Sequence, residues 1–307
     1  MKKRQLGKTT LKISELGLGC MSLPQDTNEA RRIIDRALDA GITFFDTADL
    51  YDFGKNESLL GSLLAQRRQE VVLATKVGND FSAQDGQWTW NPSYQHIVQS
   101  AKASLQRLQT DYIDLYQLHG GTMDDPIDET IAAFEDLKKE GLIRAYGISS
   151  IRPTVIDRFT SQSDGQTVMM QYNLFDRRAE EWLPLLKERG QSLLVRGAIA
   201  KGLLTTSGME RLKAGQSFNG LTHSDLEQRL TIVQQTGMDP QSIALHYLLQ
   251  SEITGSVLIG SRTEQQLIDS LKSYRQQVPE DVLKQLADTL PREQYEAHRL
   301  PPSNSFD

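Results

Sequence analysis

Four side chains that can hold or move a proton, Asp46, Tyr51, Lys76 and His119, each stand at or just past the end of a short apolar run. The runs, 42–45, 71–74 and 112–118, have the length and the β-branched or aromatic content of buried strands. Tyr51 follows Asp46 in the turn-rich segment Ala48-Asp49-Leu50-Tyr51-Asp52-Phe53-Gly54. A phenol hydrogen-bonded to an ammonium that is itself paired with a carboxylate can donate a proton near neutral pH. Singly, each residue has a plainer role as strand cap, solvated lysine, structural histidine or loop aromatic. Lys76 also has a rival chemistry, because a strand-end lysine in a barrel can form a Schiff base.

Strands must bring these groups together. Strand-like runs at 16–19, 43–46, 71–75, 112–118, 143–147, 168–171, 192–195 and 256–259 alternate with helical patterns. That alternation predicts an α/β fold, a closed (β/α)8 TIM barrel, as one domain over 1–307. In such a barrel the C-terminal strand ends share one face, and that face carries the chemistry. Residues 2–13 read as a hairpin closing the floor. Ala30, Ile33, Ile34, Ala37 and Leu38 share a helix face behind an Asp26-x-x-Glu29 start signal. Helical spacing also covers Ile97 to Leu108, Ile127 to Leu137 after Pro126, and Ile243 to Leu248 after Asp239-Pro240.

Net charge is −6 and pI about 5.5, which argues against nucleic acid or an anionic membrane as partner. One cysteine, Cys20, leaves no internal disulfide. Lys2, Lys3 and Arg4 are followed by no apolar signal region, and no run has membrane-spanning length. The expectation is a cytoplasmic monomer acting on a small molecule.

The FDTA-x-x-Y segment, with Lys76 and His119, resembles the aldo-keto reductase family. The likeness extends over nearly the whole chain, from about Gly7 to Ser270. It implies a catalytic tetrad of Asp46, Tyr51, Lys76 and His119 and an NADP(H) cofactor. Tyr51 would protonate a carbonyl oxygen as hydride arrives, Lys76 would lower the phenol's pKa, and Asp46 would hold Lys76. His119 would orient the carbonyl.

A dinucleotide needs a site, and no GxGxxG opens a helix here. Instead Gly260-Ser261-Arg262 precedes Thr263-x-x-Gln266, a capping box, so Arg262 stands at a helix N-terminus that favours phosphate. The resemblance places the NADP-binding arginine on Arg262, a glutamine contact on Gln266, and Ser270 where relatives commonly have Asn. It further implies cofactor contacts at Gly19, Met21 and Asp46, at Ser149 and Gln171 beside the nicotinamide amide, and at Lys201, Gly202 and Leu203 along the pyrophosphate. Arg196 falls where relatives carry an aromatic that stacks on the nicotinamide. A planar guanidinium can stack as well, but it carries a fixed charge.

Two connections, 77–92 and 205–238, are too long for plain loops and should overhang the catalytic face. The second contains a helical stretch at 224–235. Trp88 and Trp90 in the first fit an apolar substrate wall; packing of the loop is the alternative for Trp90. After 278 one more helical pattern precedes a Pro-rich end. Gly120 and Gly121 leave space beside His119. The activity expected is NADPH-dependent reduction of an aldehyde or ketone. The rivals are a Schiff-base lyase and an NADPH-binding redox-sensing protein with little turnover.

Overall fold

The computed structural model describes residues 1–81, 86–297 and 299. The part of the first long loop at 82–85 and the Pro-rich end at 300–307 lie outside the described residues.

Two antiparallel strands, β1 (Lys3–Gln5) and β2 (Lys12–Ser14), open the chain as a hairpin. The barrel strands are β3 (Leu16–Gly19), β4 (Phe44–Asp46), β5 (Val72–Val77), β8 (Ile113–Leu118), β9 (Ile143–Ser149), β10 (Thr167–Gln171), β11 (Ser192–Arg196) and β12 (Thr254–Ile259). All eight neighbouring pairs are parallel, and β12 pairs with β3 to close the ring. Each of the eight expected runs is a barrel strand. The third extends further than expected, so Lys76 lies within β5 rather than past its end.

The helices are α1 (Thr27–Asp39), α2 (Lys55–Leu64), α3 (Tyr94–Leu108), α4 (Ile127–Lys139), α5 (Pro153–Gln162), α6 (Leu183–Glu188), α7 (Gly208–Lys213), α8 (His223–Gln234), α9 (Pro240–Leu249), α10 (Glu264–Arg275) and α11 (Glu280–Thr289). Asp26 caps α1 by accepting from the Glu29 amide at 2.9 Å, and Asp239 caps α9. The 205–238 connection contains two helices, α7 and α8. The 77–92 connection has a two-residue pair, β6 (Asn79–Asp80) with β7 (Thr89–Trp90), too short to leave a periodic signal.

Strand alternation sets what lies inside. Phe44, Ala74, Leu115, Ala145, Met169, Leu194 and Leu258 form one apolar cluster with Leu6 and Ile13 of the hairpin, which plug the floor. A second cluster fills the space between strands and helices. Because side chains alternate, residues two or four positions past that inner layer return to the barrel axis one or two layers higher. Phe44 leads to Asp46, Ala74 to Lys76, Leu115 to Gln117 and His119, Ala145 to Ser149, Met169 to Gln171 and Leu194 to Arg196.

The N-terminal hairpin is tied to the segment that leads from α9 into β12. The Arg4 guanidinium donates to the carbonyls of Leu249, Ser251 and Thr254 at 2.6, 2.7 and 2.9 Å, and pairs with Glu15.

Candidate active site

Lys76 is 1% exposed, and its ammonium donates to Asp46 Oδ2 at 2.6 Å, Thr47 O at 2.7 Å and Tyr51 Oη at 3.3 Å. Burial pulls its pKa down, but the adjoining carboxylate overrides this, so Lys76 ends above the ordinary lysine value and stays charged. Gln117 Nε2 donates to the other oxygen, Asp46 Oδ1, at 3.4 Å. Tyr51 opens a tight turn in which Asp52, Phe53 and Gly54 have φ of 49°, 52° and 84°. Two consecutive non-glycine residues in the left-handed region are costly. That strain sits directly beside the phenol.

His119 meets Tyr51 edge to face, with ring centroids 5.9 Å apart. Its amide donates to Val77 O at 2.7 Å, and its Nδ1 is buried without a partner. Burial first, then the charges of Lys76 and Arg196, push its pKa down to about 3, so the imidazole is neutral at working pH. The unfolded chain therefore binds a proton that the folded chain refuses between about pH 6.5 and about 3, and stability falls as pH falls through that window. His119→Gln should flatten this acid limb. Urea midpoints near neutrality and near pH 4.5 measure it; a variant as acid-sensitive as the wild type removes His119 from the account.

Behind these groups lies a layer that periodicity did not reveal. Thr47 and Thr75 are the chain neighbours of Asp46 and Lys76, so they point outward, toward α2. There Thr47 donates to Asn56 Oδ1 and Thr75 to Glu57 Oε1, each at 2.6 Å. Asn56 donates to Cys20 O, and Glu57 accepts from Arg107 at 2.6 Å. Adjacent polar residues in the first turn of α2, preceding an apolar stretch, were the available signal. Asp49 is also buried. Burial and the Glu57 charge push its carboxyl well above the usual carboxylate range.

Trp90 packs the loop rather than standing free. Its Nε1 donates to Asp125 Oδ1 at 2.8 Å, and a Cβ on Gly78 or Gly120 would come within 2.5 or 3.3 Å of its ring. The space that Gly120 leaves is thus taken by Trp90; a Cβ on Gly121 would meet Val155. Trp88 is 51% exposed and Phe53, stacked edge-on against Phe81, also stands at the surface.

The positions assigned to a dinucleotide spread over one face. Gly19 ends β3 and Met21, 63% exposed, follows it. Ser149 and Gln171 end β9 and β10, and Arg196 ends β11, its Nη1 donating to Gln171 Oε1 at 3.2 Å. Lys201 and Gly202 form a turn with φ of 55° and 89°; Leu203 is fully buried, leaving only its backbone available. Gly260, Ser261 and Arg262 lead into α10. Arg262 is exposed, while Ser261 Oγ is buried without a partner next to that helix start. An orphaned hydroxyl at a helix N-terminus, beside an arginine, fits a phosphate group. The expected capping box is only half formed. Thr263 accepts from the Gln266 amide at 3.3 Å, but Gln266 Oε1 reaches one residue further back, to the Arg262 amide at 2.8 Å. The reciprocal box occurs instead at Thr222 and Asp225. Ser270 is buried, bonded to Gln241 and to Gln266 O.

The model of the Aldo/keto reductase family matches residues 15–290. An uncharacterized oxidoreductase, YqkF, from Bacillus subtilis is 45% identical over 97% of this chain and 100% of its own length. The NADH-specific methylglyoxal reductase of Escherichia coli is 30% identical over 95% of this chain and 100% of its own. Among solved structures, the holo form of aldo-keto reductase AKR11C1 from Bacillus halodurans superimposes with a TM-score of 0.92 at 45% identity, covering 98% of this chain and 100% of that one.

Proposed function

Because the chain belongs to the aldo-keto reductase family of oxidoreductases, which use nicotinamide cofactors, we propose that it is an NADPH-dependent reductase of aldehydes or ketones. The observation that carries this reading is the hydrogen-bonded series Asp46–Lys76–Tyr51 at the mouth of the barrel. A bound reduced nicotinamide supplies the hydride. The chain's residues do the rest. Tyr51 gives its proton to the carbonyl oxygen, and the charged Lys76 stabilises the phenolate left behind. The neutral His119 directs the carbonyl. Arg262, with Ser261 and Gln266, would hold the phosphate end, Lys201 to Leu203 would meet the pyrophosphate, and Ser149 and Gln171 would hold the carboxamide. A Schiff-base role for Lys76 is disfavoured, because its ammonium faces three acceptors and is held charged. The enzyme would work as a cytoplasmic monomer; among the described residues no helix is long and apolar enough to cross a membrane.

NADPH oxidation measured across aromatic, aliphatic and sugar aldehydes tests the activity. No turnover with any reactive carbonyl would refute it. Within that screen, Trp88→Ala should raise KM for bulky aromatic aldehydes more than for small aliphatic ones, because Trp88 stands exposed on the loop after Lys76. A uniform effect would reduce Trp88 to loop packing.

Arg196 offers a second measurable effect. Its guanidinium lies beside Gln171, and its charge adds to the burial and the Lys76 charge that push the His119 pKa down. Oxidised nicotinamide is cationic and reduced nicotinamide is neutral, so Arg196 should disfavour NADP⁺. Unit charges ~4 Å apart at an effective dielectric of about 20 repel by about 4 kcal/mol, and screening should leave on the order of 1–2 kcal/mol. Arg196→Tyr should therefore lower the ratio Kd(NADP⁺)/Kd(NADPH) roughly tenfold. A ratio that stays put or rises sinks the idea.

A further inference from the structure

Asp176 lies in the turn after β10, outside every motif that the sequence marked. It is 1% exposed and forms a backbone bridge with Asn173, whose side chain accepts from the Asp176 amide at 3.0 Å. Its carboxylate is a hub. Oδ1 accepts from Arg178 Nε at 2.7 Å. Oδ2 accepts from Arg178 Nη2 at 2.8 Å, from Gln171 Nε2 at 2.7 Å and from Asn219 Nδ2 at 2.6 Å. Asn219, at a φ of 50° in the loop between α7 and α8, also accepts at its Oδ1 from Gln171 Nε2 at 2.9 Å.

Donor and acceptor chemistry fixes the polarity of this network. A carboxylate only accepts, so the Gln171 atom facing it is the NH2. Both of its protons are used, one on Asp176 and one on Asn219. What Gln171 offers to the mouth of the barrel is Oε1 alone, with two lone pairs. Arg196 occupies one, and the other is open.

We infer that Asp176 is a positioning residue that locks Gln171 as a pure hydrogen-bond acceptor and so makes the site select a ring substituent bearing an N–H donor. The inference rests on the proposed placement of nicotinamide beside Gln171. Asp176 touches neither cofactor nor substrate; it acts through Gln171. Burial alone would push its carboxyl up, but Arg178 and the two amides override this and keep it ionised below the usual range. An ionised Asp176 cannot donate, so Gln171 has no reason to turn over.

The probe is the 3-acetylpyridine analogue of NADP⁺, in which a methyl replaces the carboxamide NH2 while the carbonyl remains. Wild type should bind NADP⁺ roughly three- to tenfold more tightly than the analogue, the worth of about one hydrogen bond. Gln171→Met should erase the preference. Asp176→Asn should weaken it. Arg178 donates to both carboxylate oxygens, so a neutral amide sets its NH2 against that guanidinium in either orientation and holds the Gln171 NH2 less firmly. Binding of 2′,5′-ADP, which reports only the phosphate end, should be unchanged in both variants and shows that they are folded. Asn219→Ala, which leaves the Asp176 bond in place, should keep the wild-type preference.

If Gln171→Met loses the preference and Asp176→Asn keeps it, the positioning role is overturned and the nicotinamide placement stands. If Gln171→Met keeps it, the placement itself fails, and the inference with it. Should Asp176→Asn not fold, the wild type still decides. The two side-chain amide protons of Gln171 should exchange with solvent far more slowly than those of exposed glutamines, and exchange at the free-amide rate would overturn the lock.

Discussion

Tyr51→Phe should lower kcat for carbonyl reduction by about 10²–10⁴-fold, the usual worth of a positioned general acid, and leave NADPH affinity nearly unchanged. The change removes one oxygen and keeps the ring. The ring has its own contacts, edge to face with His119 at 5.9 Å and under the Lys76 ammonium at 4.9 Å. Packing and the strained turn behind it therefore persist, so the loss reports on proton transfer rather than on collapse of the site. Lys76 keeps Asp46 and Thr47 O as partners. Pre-steady-state turnover with a reactive aldehyde, alongside a fluorescence titration of NADPH, separates the two quantities. Wild-type kcat in the Phe variant would remove Tyr51 from the mechanism. An equal loss in cofactor affinity would mean that the hydroxyl serves binding.

Arg262→Ala should weaken NADPH far more than NADH. Family membership alone does not choose between the two cofactors, since one relative is described as NADH-specific. The choice falls to whatever meets the 2′-phosphate. Arg262 is exposed at the start of α10, beside the orphaned Ser261 hydroxyl, and its own backbone amide is already held by Gln266. A charge-assisted hydrogen bond is worth roughly 1.5–3 kcal/mol, or about ten- to a hundredfold in Kd. Titrating both cofactors into both proteins gives the answer, and equal losses would refute a 2′-phosphate role for Arg262.

The barrel was legible because its signals are periodic. Each strand carries enough apolar residues to show its run, and the alternation that buries Ala74 also delivers Lys76 to the axis. The four candidate catalytic residues could be placed for the same reason, since the acid, amine and imidazole stand at strand ends and the phenol follows at short spacing; their joint role is what the family resemblance implies. What escaped the sequence has no period. The pairings Thr47–Asn56 and Thr75–Glu57 depend on where α2 lands against two strands, a matter of tertiary packing. The Asp176 hub joins a turn after β10 to a residue 43 positions later in the chain. Gln266 passed for a capping-box partner because residue type and spacing were right, but its length let it reach the Arg262 amide instead. Trp90 was ambiguous until two glycines, Gly78 and Gly120, were seen to make room for its ring.

The closure of β12 on β3, with Arg4 clamped onto three carbonyls 245 to 250 positions away, has a kinetic consequence. Contacts that distant in sequence are late events in folding, because the intervening chain must be ordered before they form. On a ribosome, Asp46, Tyr51, Lys76 and His119 would all have emerged before the strand that closes the ring exists. Until Thr254–Ile259 arrives, β3 is an open edge and the Arg4 fork lacks the carbonyl of Thr254. A nascent chain therefore spends much of its synthesis with these side chains already made and the scaffold still unclosed. Chains interrupted before β12 should be prey for proteases and for edge-to-edge association rather than partly active enzymes.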